Sequence, residues 1–509
     1  MAAFAAAVEA LEKALRQSVG LRVWLGSRRW CGDALGRDTE LAVKDRAPIG
    51  ESADEAVVFY LGVAKDPNAS VPIHLPLAVS AAKPEPEAFE LPVGSERFFV
   101  TEGERTETFA RFLVDGFRDG LSIRTAGGDV LHFSGESIGA FRSHDPRGED
   151  SSNVLVRVAT SEGEVVFKSY KLLDIRNREP EILLRLHQGK FRHAPVYRGE
   201  LALGEGPDRL VLGIATDRVD APDAFTWFTA GWREELLGTP ADFERTSLDT
   251  AAVLGEATAE LHDALLDRHP GPFQAESFSQ EDADAATKAA LSNLSDSLRR
   301  LAALAKGPEP RLAELTAKSR ALVFENRERI ETALGGLQAC AGTAKGVTHA
   351  DLHLGQVLRT DRGDLFFIDF EGEPERAPGA RSAKLPFLRD VATMGRSFAY
   401  VKHYAWREAT GGDATAAWRF LHRQDWSPEE DTVARRLAAW EAAAVERYTR
   451  TYLTRAEPYA SVEPDQAMRA IRGWTMEKAL YELRYELKHR PQNIFIPVEG
   501  LLSLARTPS

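Results

Sequence analysis

At 509 residues the chain exceeds what one compact core holds, and a prior of roughly 150 residues per domain gives about three units. Hydrophobic residues at 43% and charged residues at 28% describe an ordinary globular protein, and a net charge of −13 argues against nucleic acid or an anionic membrane as partner. Cys31 and Cys340 stand far apart without metal-ligand company, which gives no support to a disulfide framework or a zinc site and suits a reducing cytoplasm.

Residues 1–16 mix acidic with apolar positions and have no basic leader region, so they predict an amphipathic helix rather than a signal peptide. No run approaches the roughly 18 apolar residues of a membrane span. Short β-like segments follow at Glu40 to Val43, Ala56 to Val63 and Pro72 to Val79, closed by the Pro-rich bridge Lys83-Pro84-Glu85-Pro86-Glu87. A second β-rich stretch runs from Val130 through Val154 to Val158 and from Glu164 to Tyr170. From about residue 241 the apolar spacing becomes helical, in Leu254 to Leu265, Leu291 to Leu304, Leu312 to Leu334, Val433 to Tyr452 and Ala467 to His489. The expected fold is α+β and bilobal: a cap over residues 1–92, a β-rich N-lobe over 93–220 and a large helical C-lobe over 221–509.

The chemistry concentrates in His349-Ala350-Asp351-Leu352-His353-Leu354-Gly355-Gln356, followed by Phe367-Ile368-Asp369-Phe370-Glu371. In a kinase, an H-x-D loop supplies the Asp that accepts a hydroxyl proton, an amide five residues on that holds a metal, and a second Asp after an apolar strand that also holds metal. These roles fall on Asp351 as catalytic base and on Gln356 and Asp369 as Mg²⁺ ligands. Leu365 to Phe370 reads as the strand that delivers Asp369.

A nucleotide needs a cation of its own. Val165 to Tyr170 is β-like with Lys168 inside it, and Glu181 opens a helical pattern, with Glu179 as its rival for the helix partner of the lysine. Ser152 and Asn153 fall where a hairpin over the phosphates belongs, although no Gly-rich phosphate loop is present. Val211 to Val219 reads as the strand leading to the adenine-binding hinge. On the acceptor side, Lys478, Tyr481 and Tyr485 at i, i+3 and i+7 share one helix face, a stripe that suits a sugar and would equally pack a core.

The string His349 to Leu358, with Ile368 to Pro374, Leu388-Arg389-Asp390-Val391-Ala392 and Glu477 to Glu486, resembles bacterial maltokinases, relatives of the aminoglycoside phosphotransferases and eukaryotic-like kinases. The likeness extends to Arg28-Arg29-Trp30, Lys168 with its following helix, and Leu254 to His262. It implies a protein-kinase-like fold with an N-terminal α/β cap, and ATP- and Mg²⁺-dependent phosphorylation of maltose at its anomeric hydroxyl. Maltose 1-phosphate would feed α-glucan (glycogen) synthesis, in a cytoplasmic monomer or weak dimer with a trehalose synthase as a candidate partner. Lys478, Tyr481 and Tyr485 then become sugar contacts, and His349 is assigned to the acceptor as well.

The family usually has Gly where Ala350 stands, and Arg381 to Pro386 departs from its pattern. A lysine in the acceptor pocket is expected to disfavour an ammonium-bearing sugar, which favours maltose over glucosamine. The alternatives are a related sugar or aminosugar kinase, such as a glucosamine kinase, and a non-catalytic scaffold for a trehalose-processing enzyme.

Overall fold

The computed structural model describes residues 4–31, 34–35, 39–66, 69–150, 152–206, 209–238, 242–373, 383–410 and 426–506. The chain divides into two compact units, Met1–His187 with Pro195–Val219, and Gln188–Ala194 with Asp220–Ser509.

The first unit opens with α1 (Ala5–Gln17), whose Ala7, Val8, Leu11 and Leu15 form one buried stripe. Helix α2 (Val19–Gly26) starts at Ser18, whose hydroxyl accepts the Leu21 N–H. Both stripes join a core with Val58, Tyr60, Leu75 and Leu77 of an antiparallel sheet. Its strands are β1 (Glu40–Glu51), β2 (Glu55–Asp66), β3 (Ala69–Ser80), β4 (Phe89–Val93) and β5 (Glu96–Glu102), ordered β1-β2-β3-β5-β4. Each fully buried leucine here contributes about 2 kcal/mol. The expected division at 92/93 lies inside the β4–β5 hairpin, where Pro92 pairs with Arg97.

Helix α3 (Glu107–Asp119) is an element that the β-rich reading of this region overlooked. Thr106 caps it by accepting the Phe109 N–H, and Gly120 ends it in the left-handed conformation at φ +60°. Its stripe of Phe109, Phe112, Leu113 and Phe117 is buried, and Gly116 is required because a Cβ there would stand 2.3 Å from the Phe133 ring.

The second sheet contains β6 (Ser122–Arg124), β7 (Val130–Gly135), β8 (Phe141–Asp150), β9 (Val154–Thr160), β10 (Glu164–Ser169), β11 (Tyr197–Leu203) and β12 (Leu210–Asp217), ordered β6-β7-β11-β12-β10-β9-β8. Helix α4 (Glu179–Gln188) follows β10 in the chain. Strand β10 is interior: Lys168 pairs with Leu155 on one side and Ile214 on the other, so a one-residue slip would turn its whole apolar face outward.

The second unit is mainly helical, and its first helix, α5 (Ala224–Leu236), precedes residue 241, where the helical spacing in the sequence starts. It continues with α6 (Phe243–Leu265), α7 (Gln280–Leu304), α8 (Pro310–Glu325), α9 (Arg327–Leu334), α10 (Leu388–Ala409), α11 (Pro428–Arg455), α12 (Pro464–His489) and α13 (Phe495–Arg506). The expected Leu312 to Leu334 helix is broken at Asn326, whose side-chain amide donates to the Leu322 carbonyl while its backbone leaves helical values. Helix α11 starts at a capping box of Ser427 and Glu430 with Pro428 at its first turn.

Helix α12 matters most for the site. From Met476 to Leu483 every residue is buried, including Glu477, Lys478 and Glu482, so its charges must find partners inside the protein. Gly473 lets it approach the preceding layer, since a Cβ there would lie 2.4 Å from the Leu337 nitrogen. Among the described residues no helix is long and apolar enough to cross a membrane.

Candidate active site

The loop 347–356 is held from below. Asp390, fully buried at the start of α10, accepts the backbone N–H groups of His349 (2.8 Å) and Ala350 (3.1 Å), one on each carboxylate oxygen. Behind it His262 Nε2 lies 3.4 Å from Asp390, and the other ring nitrogen is 2.8 Å from the Tyr452 hydroxyl. Arg389 donates to the Ala350 carbonyl at 3.0 Å. His349 is itself fully buried, its Nε2 donating to the Ile368 carbonyl at 3.0 Å. It ties the loop to the residue before Asp369 and does not line the cavity beside Asp351, contrary to its assignment to the sugar.

Two residues here have positive φ, Ala350 at +67° and Asp369 at +65°. The left-handed region costs a side chain with a Cβ about 1–2 kcal/mol, which explains glycine in the resembling family. Ala350→Gly is therefore expected to be neutral to about 1 kcal/mol stabilising, after the greater flexibility of glycine in the unfolded chain is set against the relief. A thermal melt checks it, and a fall of several degrees would contradict it.

A short hairpin brings the two proposed metal ligands together. Strands β13 (Val357–Arg359) and β14 (Leu365–Phe367) pair Val357 with Phe367, and the Ile368 N–H then reaches the Gln356 carbonyl at 3.0 Å. Gln356 Nε2 consequently donates to Asp369 Oδ2 at 2.8 Å. The strand is shorter than Leu365 to Phe370, because the positive φ at Asp369 turns the backbone out of the ladder. Carboxylate oxygens of Asp369 and Glu371 lie within 4.8 Å of each other. An amide and two carboxylates form an all-oxygen donor set of the kind a hard cation takes, so these residues fit Mg²⁺.

Asp351 is half-buried above this hairpin, and helix α12 supplies the wall beside it. Lys478 Nζ lies 3.2 Å from Asp351 Oδ1 and 2.6 Å from Glu373 Oε1, and Arg389 holds the other oxygen of Glu373. Burial alone would favour the neutral amine, but Glu373 and then Asp351 outweigh it and hold the Lys478 pKa above the ordinary lysine value. Its charge is thus spent within the protein, and it does not repel a cationic acceptor as a free ammonium would. His353 Nδ1 accepts the Gly355 N–H at 3.1 Å, which leaves Nε2, 3.8 Å from Asp351, to carry the proton of the neutral ring.

A cavity of about 370 Å³ opens here, lined among the described residues by Asp351, His353, Lys478, Tyr481, Glu482, Tyr485 and Glu486 together with Phe225, Tyr400, Tyr404 and Arg490. The Tyr481 and Tyr485 rings are nearly parallel, 19° apart with centroids 6.5 Å apart. Glu482 is paired with Arg396 at 2.7 Å, and Glu486 accepts from Tyr400 (3.1 Å) and Arg490 (2.7 Å). Burial raises the Glu486 pKa, partly offset by Arg490. In the sequence Tyr400 carries no signal, and Glu482 and Glu486 stand, with Glu477, only as carboxylates that an aminosugar reading can enlist around an ammonium group. An i, i+4 carboxylate pair on the helix that carries Lys478 and Tyr481 was the available signal.

In the first unit Lys168 Nζ pairs with Glu179 at 2.8 Å, and the Tyr170 hydroxyl donates to the same Glu179 oxygen at 2.7 Å. Glu181 is exposed, so the helix partner is Glu179 and the assignment to Glu181 is corrected. Two residues further along α4 the side chain has rotated by more than half a turn. Ser152 is exposed, whereas Asn153 is buried with its carbonyl accepting the Lys171 N–H at 3.3 Å, a structural contact rather than a phosphate contact. Val211 to Val219 overlaps β12 over residues 211–217. Pro374 and positions 381–382 lie outside the described residues; further on, Lys384 pairs with Glu276 at 2.6 Å and Leu385–Pro386 forms a short strand.

No protein-family model matches the chain. It is 27% identical over 338 residues to a glucosamine kinase of Mycolicibacterium smegmatis, covering 64% of this chain and 71% of that one. It is 26% identical over 328 residues to a glucosamine kinase of Streptacidiphilus jiangxiensis, covering 63% of each. The structure is also similar to that of a glucosamine kinase in complex with glucosamine, ADP and inorganic phosphate, with a TM-score of 0.60 at 21% identity, over 96% of this chain and 99% of that one. The chain therefore has a bilobal, kinase-like α+β fold throughout its length.

Proposed function

We propose that the protein is an ATP-dependent sugar kinase acting on a glucosamine-like amino sugar. The observation that carries the choice of acceptor is the carboxylate lining of the cavity: Asp351, Glu482 and Glu486 face it, each paired with a cation (Lys478, Arg396 and Arg490) that leaves carboxylate lone pairs for an ammonium or hydroxyl donor. Such a wall tolerates an ammonium group and leaves neutral hydroxyls ample acceptors. The glucosamine kinases among its relatives support the same reading.

In this reading Asp351 takes the proton from the acceptor hydroxyl as its oxygen bonds to the γ-phosphorus and the bond to the β-phosphate oxygen breaks, releasing ADP. Lys168, held by Glu179, would bind the α- and β-phosphates. Gln356, Asp369 and Glu371 would hold Mg²⁺, which when bound neutralises charge developing on the phosphates. The tyrosine pair would pack a sugar face.

That pair also favours a second reading, the maltose kinase implied by the family resemblance, since parallel rings suit an uncharged disaccharide. Maltose 1-phosphate formation, a role in glycogen synthesis and a trehalose synthase partner belong to that reading. ATP consumption with glucosamine, glucose and maltose decides between them. We expect the highest kcat/KM with glucosamine and complete loss in EDTA; maltose ranking first would select the second reading, and no sugar-dependent turnover would sink both.

A further inference from the structure

Residues 168–171 are gripped from both faces. Strand β10 ends at Ser169, but its alternation carries on through the next two residues: Lys168 and Tyr170 share a partner on one side, Ser169 and Lys171 on the other. The first pair shares one oxygen of Glu179. The second pair shares one oxygen of Glu104, which accepts from the Ser169 hydroxyl at 3.0 Å and from Lys171 Nζ at 2.6 Å. Glu104 follows the last strand of the cap sheet and, like Lys171, is at most 1% exposed in its side chain.

The backbone around Lys171 is tied in the same direction. Its carbonyl accepts the His74 N–H of β3 at 2.9 Å, its N–H donates to Asn153, and Leu173 N–H reaches the Pro72 carbonyl at 2.9 Å. The His74 ring donates from Nδ1 to the Tyr170 carbonyl at 3.1 Å. A buried ion pair is a poor source of stability, because desolvating both charges offsets their attraction, and apolar residues of similar volume often do as well. What Glu104 and Lys171 supply is a fixed register on the face of the strand opposite Lys168.

We infer that the Glu104–Lys171 pair is a positioning device by which the N-terminal cap sheet sets the strand that carries Lys168, so that the cap governs nucleotide affinity without touching nucleotide. The inference rests on the reading of Lys168 as the nucleotide lysine.

The test measures the Kd for ADP with Mg²⁺ by calorimetry, and the melting temperature, on the full chain. Glu104→Leu/Lys171→Met removes the pair without leaving an orphan charge, Ser169→Ala removes one contact with minimal risk to folding, and Lys168→Met tests the underlying reading. We expect the double variant to melt near wild type but bind ADP at least tenfold more weakly, Ser169→Ala to lose about threefold, and Lys168→Met to lose more than tenfold. A merely structural pair would lower the melting temperature and spare the affinity. If Lys168→Met weakens ADP while the double variant or, should it not fold, Ser169→Ala binds like wild type, the positioning role is overturned and the nucleotide reading stands. If Lys168→Met also binds like wild type, the nucleotide reading fails and takes the inference with it.

Discussion

Asp351→Asn is expected to lower kcat by about 10²–10⁴-fold or more, the range that a positioned general base supplies, with the fold and nucleotide binding preserved. The amide matches the carboxylate in shape but cannot accept the hydroxyl proton. The neighbouring Lys478 keeps its shorter contact, 2.6 Å to Glu373, so losing Asp351 at 3.2 Å does not strand a buried ammonium. The melting temperature should accordingly move by only a few degrees, and the KM for ATP should stay within a few-fold. Turnover within tenfold of wild type would mean that another group takes the proton.

The sequence made the reacting groups legible because their spacing is local. Gln356 and Asp369 meet across one hairpin, and a strand with a single internal lysine announced Lys168. What escaped were facts of rotation and of tertiary charge. Whether Glu179 or Glu181 faces the lysine depends on where α4 begins, which is set by the turn in which the Asn177 side chain accepts the Glu179 N–H. The cost of Ala350 was invisible until its φ was known. His349 looked like a ligand because it heads the motif, but burial turned it into a brace. Lys478 was read as a free cation because Glu373, 105 residues away in sequence, gives no local sign that it will neutralise it. The change from β-rich to helical sequence was visible as texture, while α3 was masked by the β-rich sequence on either side.

Asp390→Ala should be the most damaging substitution away from the reacting atoms. The buried carboxylate accepts two backbone N–H groups in the strained loop, those of His349 and Ala350, and it also terminates the chain from Tyr452 through His262. Removing it orphans two buried donors at about 1–3 kcal/mol each, so a loss of about 3–5 kcal/mol is expected. Because Ala350 is held at φ +67° against its preference, the loop should also relax and carry Asp351 out of place, lowering kcat by at least about 10²-fold, as small displacements of catalytic groups do.

The pH dependence gives an independent check. Burial alone would raise the Asp390 pKa, but the His262 hydrogen bond and the attraction of neighbouring groups such as Arg389 outweigh it and hold the carboxyl below its ordinary value. A depressed folded-state pKa means that the unfolded chain takes up the proton first as pH falls. The stability Asp390 contributes is therefore complete above the unfolded carboxyl pKa of about 3.9 and is lost as pH falls through the lower folded value. Melts of wild type and Asp390→Ala should differ most at pH 6–8 and converge in acid below about pH 4. A constant gap down to pH 3, or a neutral-pH gap under about 1 kcal/mol, would show that the loop is held by Arg389 and packing instead.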